Sequence, residues 1–275
     1  MEDFGEKSNP GQGRAPFCEL RQVSVARGET VALQAIDLTI AAGEHVAILG
    51  PNGCGKSTLI KTLTCECYPL VAPDTLVETQ VRIFGRERWD VQELRQRLGV
   101  VSAELPGRST ARTLGLDAVI TGFFSSAALW ANQTVTESMS LRAQAALARV
   151  EAEHLAQKPV AQMSAGETRR VMIARALVHE PEMLLLDEPS NALDLAAQQE
   201  LRERLRGLAR AGTGIVMVTH HLADILPEMD RVILMRGGRI VADGHKRELL
   251  TEAWMERLFG LPVRLTERDG YWYTG

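Results

Sequence analysis

Nine consecutive residues, Gly50-Pro51-Asn52-Gly53-Cys54-Gly55-Lys56-Ser57-Thr58, set glycine, lysine and hydroxyl groups at the spacing G-x-x-x-x-G-K-[ST]. Glycines let a backbone bend so that successive N–H groups point inward at an anion. A helix opening at the lysine adds its partial positive end. Lys56 is then a point charge for the β- and γ-phosphates of a nucleotide such as ATP, and the Ser57 hydroxyl a ligand for Mg2+. Asn52, Gly53, Cys54, Gly55 and Thr58 belong to the same cradle. Beside Lys56 and the helix end, the Cys54 thiol is a candidate for a lowered pKa, which would open it to alkylation or oxidation. The plainer reading is a small residue that fills space.

Met183-Leu184-Leu185-Leu186-Asp187-Glu188 is an apolar strand that ends in two carboxylates. Side chains alternate across a strand, so adjacent acids take different jobs. Asp187 is expected to hold Mg2+ through water. Glu188 is expected to orient or deprotonate an attacking water. Upstream, Ser164 begins Ser164-Ala165-Gly166-Glu167, a helix cap with the capping-box spacing, and Arg169 and Arg170 follow.

The elements that must position these groups follow from the pattern. Cys18 to Ile40 reads as two strands with a turn at Arg27-Gly28, and Glu44 to Leu49 as a short apolar strand entering the glycine loop. Lys56 to Thr64 reads as a helix, and Val81–Phe84 and Leu98–Val101 as strands. Val135 to Ala156 is rich in Ala, Leu and Glu and is expected to be helical, as are Ala165–Val178 and Leu195–Arg210. Ile215–Val218 is a buried strand, and Arg231–Met235 with Arg239–Ala242 a hairpin. Strands alternating with helices predict an α/β fold on a largely parallel sheet.

The chain has 275 residues, 45% hydrophobic and 24% charged, which is enough to bury a core without disulfides or a structural metal. Its net charge of −4 disfavours a sequence-independent grip on nucleic acid. An 18-residue apolar run is absent, as is a basic start followed by an apolar stretch, so neither a membrane span nor a signal peptide is expected. Cys65 and Cys67 lack the spacing of a metal pair.

In order along the chain, these strings resemble the ABC-type ATPases. That family reads L-S-G-G-Q, then basic residues, ARAL and an LLLDEP strand; here the string is MSAGETRRVMIARALVHEPEMLLLDEPSNALD, continuing to Val218-Thr219-His220. The resemblance runs from about Cys18 to about Leu250. It implies a P-loop NTPase fold with a RecA-like α/β core, an antiparallel β flank and an inserted α-helical sub-domain. The expected organisation is a flexible tail over residues 1–16 and one ATPase domain over 17–275. Within that domain the helical part covers about 104–165 and a terminal hairpin about 261–275.

The family's domains work as head-to-tail pairs, which implies a second ATPase subunit, here a homodimer. Ser164 and the Gly166 N–H would then contact the γ-phosphate held by the partner copy's loop. His220 would contact the γ-phosphate and the region of Glu188, and Ser190–Asp194 would signal between sites. Three departures stand out. Arg27 occupies the region of the aromatic residue that stacks on adenine, and a guanidinium can stack there instead. Ser102-Ala103-Glu104 stands where a glutamine normally contacts Mg2+, and Ala165 replaces a signature glycine.

LGVVSAEL, DAVITGFF and Thr219-His220-His221 resemble a narrower subgroup, of the molybdate-transport and photorepair type, related to metal and siderophore import. The leading implication is the ATP-hydrolysing subunit of a membrane importer. It would need separate transmembrane permease subunits and sit in the cytoplasm on the inner face of the cell membrane. Phe123, Phe124 and Trp130 are candidates for the docking groove, or else core residues. The competing implication is a soluble ATPase or nucleotide switch that acts on a protein or nucleic-acid partner. The interval between the phosphate loop and Ser164 is too short for a coiled-coil arm and its return.

Overall fold

A computed structural model describes residues 16–70, 78–102, 113–126, 128–130 and 132–275. Its centre is a six-stranded sheet. The strands are β3 (His45–Leu49), β5 (Leu98–Val101), β6 (Met183–Asp187), β7 (Gly214–Thr219), β8 (Arg231–Arg236) and β9 (Arg239–His245), in the order β5-β6-β7-β3-β8-β9. All neighbours are parallel except β8 and β9, which form an antiparallel hairpin. The central strands are apolar throughout because both faces are covered. Leu184 and Leu186 enter one core, and Met183 and Leu185 the other. This is the period-two alternation of a strand divided between two layers.

One face carries a second, antiparallel sheet. It is built from β1 (Pro16–Arg27), β2 (Thr30–Ala41) and β4 (Gln80–Ile83), in the order β2-β1-β4. Helix α1 (Lys56–Leu63) is buried between the layers through Leu59, Ile60 and Leu63. The opposite face carries α3 (Gly115–Ile120), α4 (Glu137–Arg149), α5 (Ala165–Leu177) and α6 (Leu195–Arg210). Of these, α3, α4 and α5 pack on one another. The chain continues through α7 (Lys246–Leu249), α8 (Glu252–Phe259) and a hairpin of β10 (Leu265–Arg268) and β11 (Tyr271–Thr274).

Three features differ from the sequence pattern. Pro16, expected in the tail, already pairs with Ala41 in β1, while residues 1–15 lie outside the described residues. The helix expected over Val135–Ala156 is shorter: it stops at Arg149, because Glu151 takes φ 50° and the Ala152 N–H turns back to the Leu147 carbonyl at 2.9 Å. Helix α2 (Val91–Arg97) has no counterpart in the sequence pattern. Leu94 alone is buried on it, so no apolar periodicity announces it, and its start is fixed by the Asp90 carboxylate accepting from the Gln92 and Glu93 N–H groups.

The two sheets are tied at Arg231. Its guanidinium donates to both Asp243 carboxylate oxygens at 2.8 and 2.7 Å, to the Thr39 carbonyl at 2.9 Å and to Glu44 Oε1 at 3.0 Å. The Asp243 bonds hold the Arg231 pKa above its ordinary value against the opposing effect of burial. Removing one partner of a half-buried ion network strands the others, at a cost that solvent screening reduces. Arg231→Met should therefore destabilise the fold by about 1–2 kcal/mol, read as a lower urea midpoint at unchanged slope. A midpoint equal to the parent's would contradict this.

Candidate functional site

The carboxyl ends of β6, β7 and β3 are side by side in the sheet, and each delivers a segment singled out from sequence. β3 leads into the phosphate loop, β6 ends on Asp187 with Glu188 next, and β7 ends on Thr219 with His220 next. Ligands of open α/β sheets bind outside such strand ends.

The loop is shaped by its glycines. Gly55 sits at φ 106°, and a Cβ there would lie 2.5 Å from the Ala32 carbonyl oxygen. At Gly50 a Cβ would meet the Met235 carbonyl oxygen at 2.3 Å. The loop is also hydrogen-bonded to its neighbours, from the Gly50 N–H to the Thr219 carbonyl at 3.3 Å and from the Gly238 N–H to the Cys54 carbonyl at 3.0 Å. Helix α1 has no side-chain cap and no acidic residue in its first turn. Its N–H groups and positive end therefore stay available to an anion.

Lys56 is almost wholly buried, and its ammonium donates to the Gly50 and Pro51 carbonyls at 2.9 and 3.0 Å. It lies 3.4 Å from Glu188 Oε1. The same oxygen is 3.2 Å from His220 Nδ1, and Glu188 Oε2 accepts from the Asn191 amide at 2.7 Å. Glu188 holds a left-handed φ of 46°, costly for a residue with a side chain. Its N–H donates to the Val218 carbonyl at 2.8 Å, which keeps it there. Lys56, Glu188 and His220 thus meet at one point, and Asn191 joins them through a hydrogen bond that its place in the motif does not announce.

Ser57 is exposed and its hydroxyl makes a long 3.4 Å bond to Asp187 Oδ1. Burial pushes the Asp187 carboxyl above the usual carboxylate range; the Ser57 bond opposes this and the Glu188 charge adds to it. A carboxylate beside a hydroxyl is a hard-oxygen pair that fits a small divalent cation completed by phosphates and water. The described residues contain no group of three or more His, Cys, Asp and Glu able to hold a metal. Thr58 is buried and Asn52 exposed.

Of the two readings of Cys54, the structure supports the space-filling one and not the lowered pKa. Burial pushes its thiol above its ordinary pKa, and the nearby Lys56 charge only partly opposes this. Cys54 instead fills the space under the loop, its Sγ 2.7 Å from where a Cβ at Gly50 would stand. A raised pKa leaves less thiolate at neutral pH. Cys54 should therefore react with N-ethylmaleimide at pH 7.5 at least about tenfold more slowly than free cysteine, as followed by peptide mass spectrometry. Labelling at the free-cysteine rate would contradict this.

Arg27, Ser164 and Gly166 make no hydrogen bond or ion pair to this cluster among the described residues. Arg27 is exposed and closes the β1–β2 hairpin opposite Thr30. Ser164 caps α5, accepting from the Glu167 N–H at 3.2 Å while Glu167 accepts from the Ser164 N–H at 2.8 Å. Ser164 is exposed and Gly166 half-buried. Glu104 lies outside the described residues. Its neighbour Ser102 is held by buried Arg169, which donates to the Ser102 carbonyl at 2.9 Å.

A cavity of about 470 Å3 runs from Ser57 and Asp187 between α1, α2, β5 and α5 to Arg95 and Arg175. Burial lowers the Arg175 pKa to about 10, and the neighbouring Arg95 charge adds to the effect. Phe123 and Phe124 are half-buried against the helical core, whereas Trp130 is exposed.

The fold and site together define a phosphate-loop ATPase cassette. The ABC transporter family profile matches residues 33–191. The hemin import ATP-binding protein HmuV of Hahella chejuensis is 35% identical, the match covering 88% of this chain and 92% of that protein. Among solved structures, cbiO1 of Clostridium perfringens, part of the ABC transporter complex cbiONQ, has TM-score 0.72 and 28% identity over 89% of this chain and 94% of that one. A dimeric ATP-binding cassette in a post-hydrolysis state with ADP and Pi has TM-score 0.67 and 28% identity over 83% and 98%. The chain belongs to the ABC transporter family, as an ATP-binding, ATP-hydrolysing member.

Proposed function

We propose that the chain is the ATP-hydrolysing subunit of an importer, working as a head-to-tail homodimer on separate permease subunits. The convergence of Lys56, Glu188 and His220 at three adjacent strand ends carries this reading, because it supplies an anion cradle, a base and a γ-phosphate contact in one place. The loop N–H groups and Lys56 hold the ATP phosphates. Glu188 orients water and takes its proton as it attacks the γ-phosphorus; the bond to the β-phosphate oxygen breaks, leaving ADP and phosphate. His220 steadies the γ-phosphate against Glu188, and Arg27 stacks on the base. Ser57 and Asp187 would hold Mg2+, which when bound supplies positive charge to the phosphate oxygens.

Ser164 and Gly166 stand at the start of α5 and make no bond to the Lys56 cluster among the described residues; a second copy brings that helix start over the nucleotide. ATP thereby glues the pair and hydrolysis releases it. The helical sub-domain and its groove with Arg95 and Arg175 form the face for the permease. Among the described residues no helix is long and apolar enough to cross a membrane. The proposed site of action is the cytoplasmic face of the cell membrane. Relatives named for hemin and cobalt import support the import direction. The test is affinity purification of tagged Glu188→Gln protein from detergent-solubilised membranes of its host with Mg-ATP. Recovery of a stoichiometric multi-span protein is expected. Soluble partners alone, or none, would overturn the transporter assignment.

A further inference from the structure

Behind the catalytic cluster lies a buried carboxylate with no assigned role. Asp224 is 3% exposed and makes no ion pair among the described residues. It ends a short 3-10 turn, Leu222–Asp224, on which β11 packs. Its Oδ2 accepts two hydroxyl hydrogen bonds, from Ser190 Oγ and from Thr219 Oγ1, both at 2.7 Å. Ser190 and Thr219 are themselves buried, at 2% and 0% exposure.

The two donors sit at informative places. Ser190 lies two residues past Glu188, and the next residue, Asn191, donates to the Glu188 carboxylate. Thr219 immediately precedes His220, and its hydroxyl also accepts from the His221 N–H at 2.9 Å. One carboxylate oxygen thus joins the segment that carries the base to the segment that carries the histidine. Burying a carboxylate without a cation is a poor way to gain stability, since an apolar side chain of similar size avoids the desolvation cost. It is a good way to fix two loops relative to each other, because the hydroxyl bonds are directional and charge-assisted. The need is clear at Glu188, whose left-handed backbone must be held by its surroundings.

We infer that Asp224 is a positioning residue for ATP hydrolysis: with Ser190 and Thr219 it sets the Glu188–His220 geometry and touches neither nucleotide nor water. The inference rests on the reading that Glu188 and His220 serve hydrolysis. A displacement of under an ångström at the base costs rate while leaving phosphate binding largely intact, because the Ser190, Thr219 and Asp224 side chains bond to one another and not to Lys56, and the loop meets Thr219 through its backbone carbonyl only.

The test compares steady-state ATPase kinetics and ATP binding for Asp224→Ala, Asp224→Asn, Ser190→Ala and Glu188→Gln. Asp224→Ala should lower kcat about tenfold or more with KM and the ATP Kd within about threefold. Asp224→Asn keeps an acceptor oxygen for both hydroxyls and should recover kcat to within about threefold of the parent. Ser190→Ala should lose part of kcat alone and nothing further when combined with Asp224→Ala. If Asp224→Ala does not fold, Ser190→Ala and Asp224→Asn decide. Parental kcat in both Ser190→Ala and Asp224→Ala, or parental kcat in Ser190→Ala where Asp224→Ala does not fold, overturns the inference; so does a loss that appears in KM instead of kcat. The Glu188→Gln control separates the two levels. If it turns over normally, the underlying reading fails; if it is inert while the others match the parent, the inference alone fails.

Discussion

Glu188→Gln protein should bind ATP at least as tightly as the parent yet hydrolyse it at least about 100-fold more slowly. General-base assistance is worth roughly 10²–10⁴-fold, and the amide cannot take a proton from water. The substitution is gentle elsewhere. One amide oxygen remains to accept from Asn191, so the turn that holds position 188 survives. The lost negative charge faces Lys56 at 3.4 Å, and its removal leaves that ammonium freer to meet phosphate. Phosphate release and equilibrium dialysis measure the two quantities. Turnover within about threefold of the parent would remove Glu188 from the chemistry.

Lys56→Ala should weaken ATP binding by about 10–100-fold, the worth of a charge-assisted contact to phosphate lost in a site shielded from water. In the free protein the ammonium is already held on the Gly50 and Pro51 carbonyls, so it is pre-positioned and does not have to be ordered when nucleotide arrives. Arginine should not restore binding. Its forked guanidinium replaces a compact ammonium at a site that is only 4% exposed. Calorimetric titration with ATP reads the effect directly. An affinity within twofold of the parent in a folded Lys56→Ala protein would contradict the assigned role.

The parts of this molecule legible from sequence are those written in short stretches. The phosphate loop, the β6 strand with its two acids and the α6 helix at Leu195–Arg210 are each specified by consecutive residues. His220 needed the order of strings along the whole chain, since a single histidine after a strand has no chemistry of its own. What sequence did not disclose depends on burial or on distant partners. The charge of Lys56 leaves an activated Cys54 open beside the space-filling reading, and desolvation, which acts more strongly than that charge, decides for the latter. Helix α2 carries one buried residue and therefore no periodicity. Asp224 and Ser190 are 34 residues apart, and only the adjacency of β6 and β7 brings them together.

The central claim is that ATP joins two copies of this chain through Ser164 of one and the phosphate loop of the other. Light-scattering mass of purified Glu188→Gln protein, measured with and without saturating Mg-ATP, tests it most directly. The expected result is the 30.2 kDa chain mass without nucleotide and twice that with it, with the doubling abolished by adding Ser164→Arg. A protein that binds ATP and keeps the mass of a single chain would contradict the paired-site account.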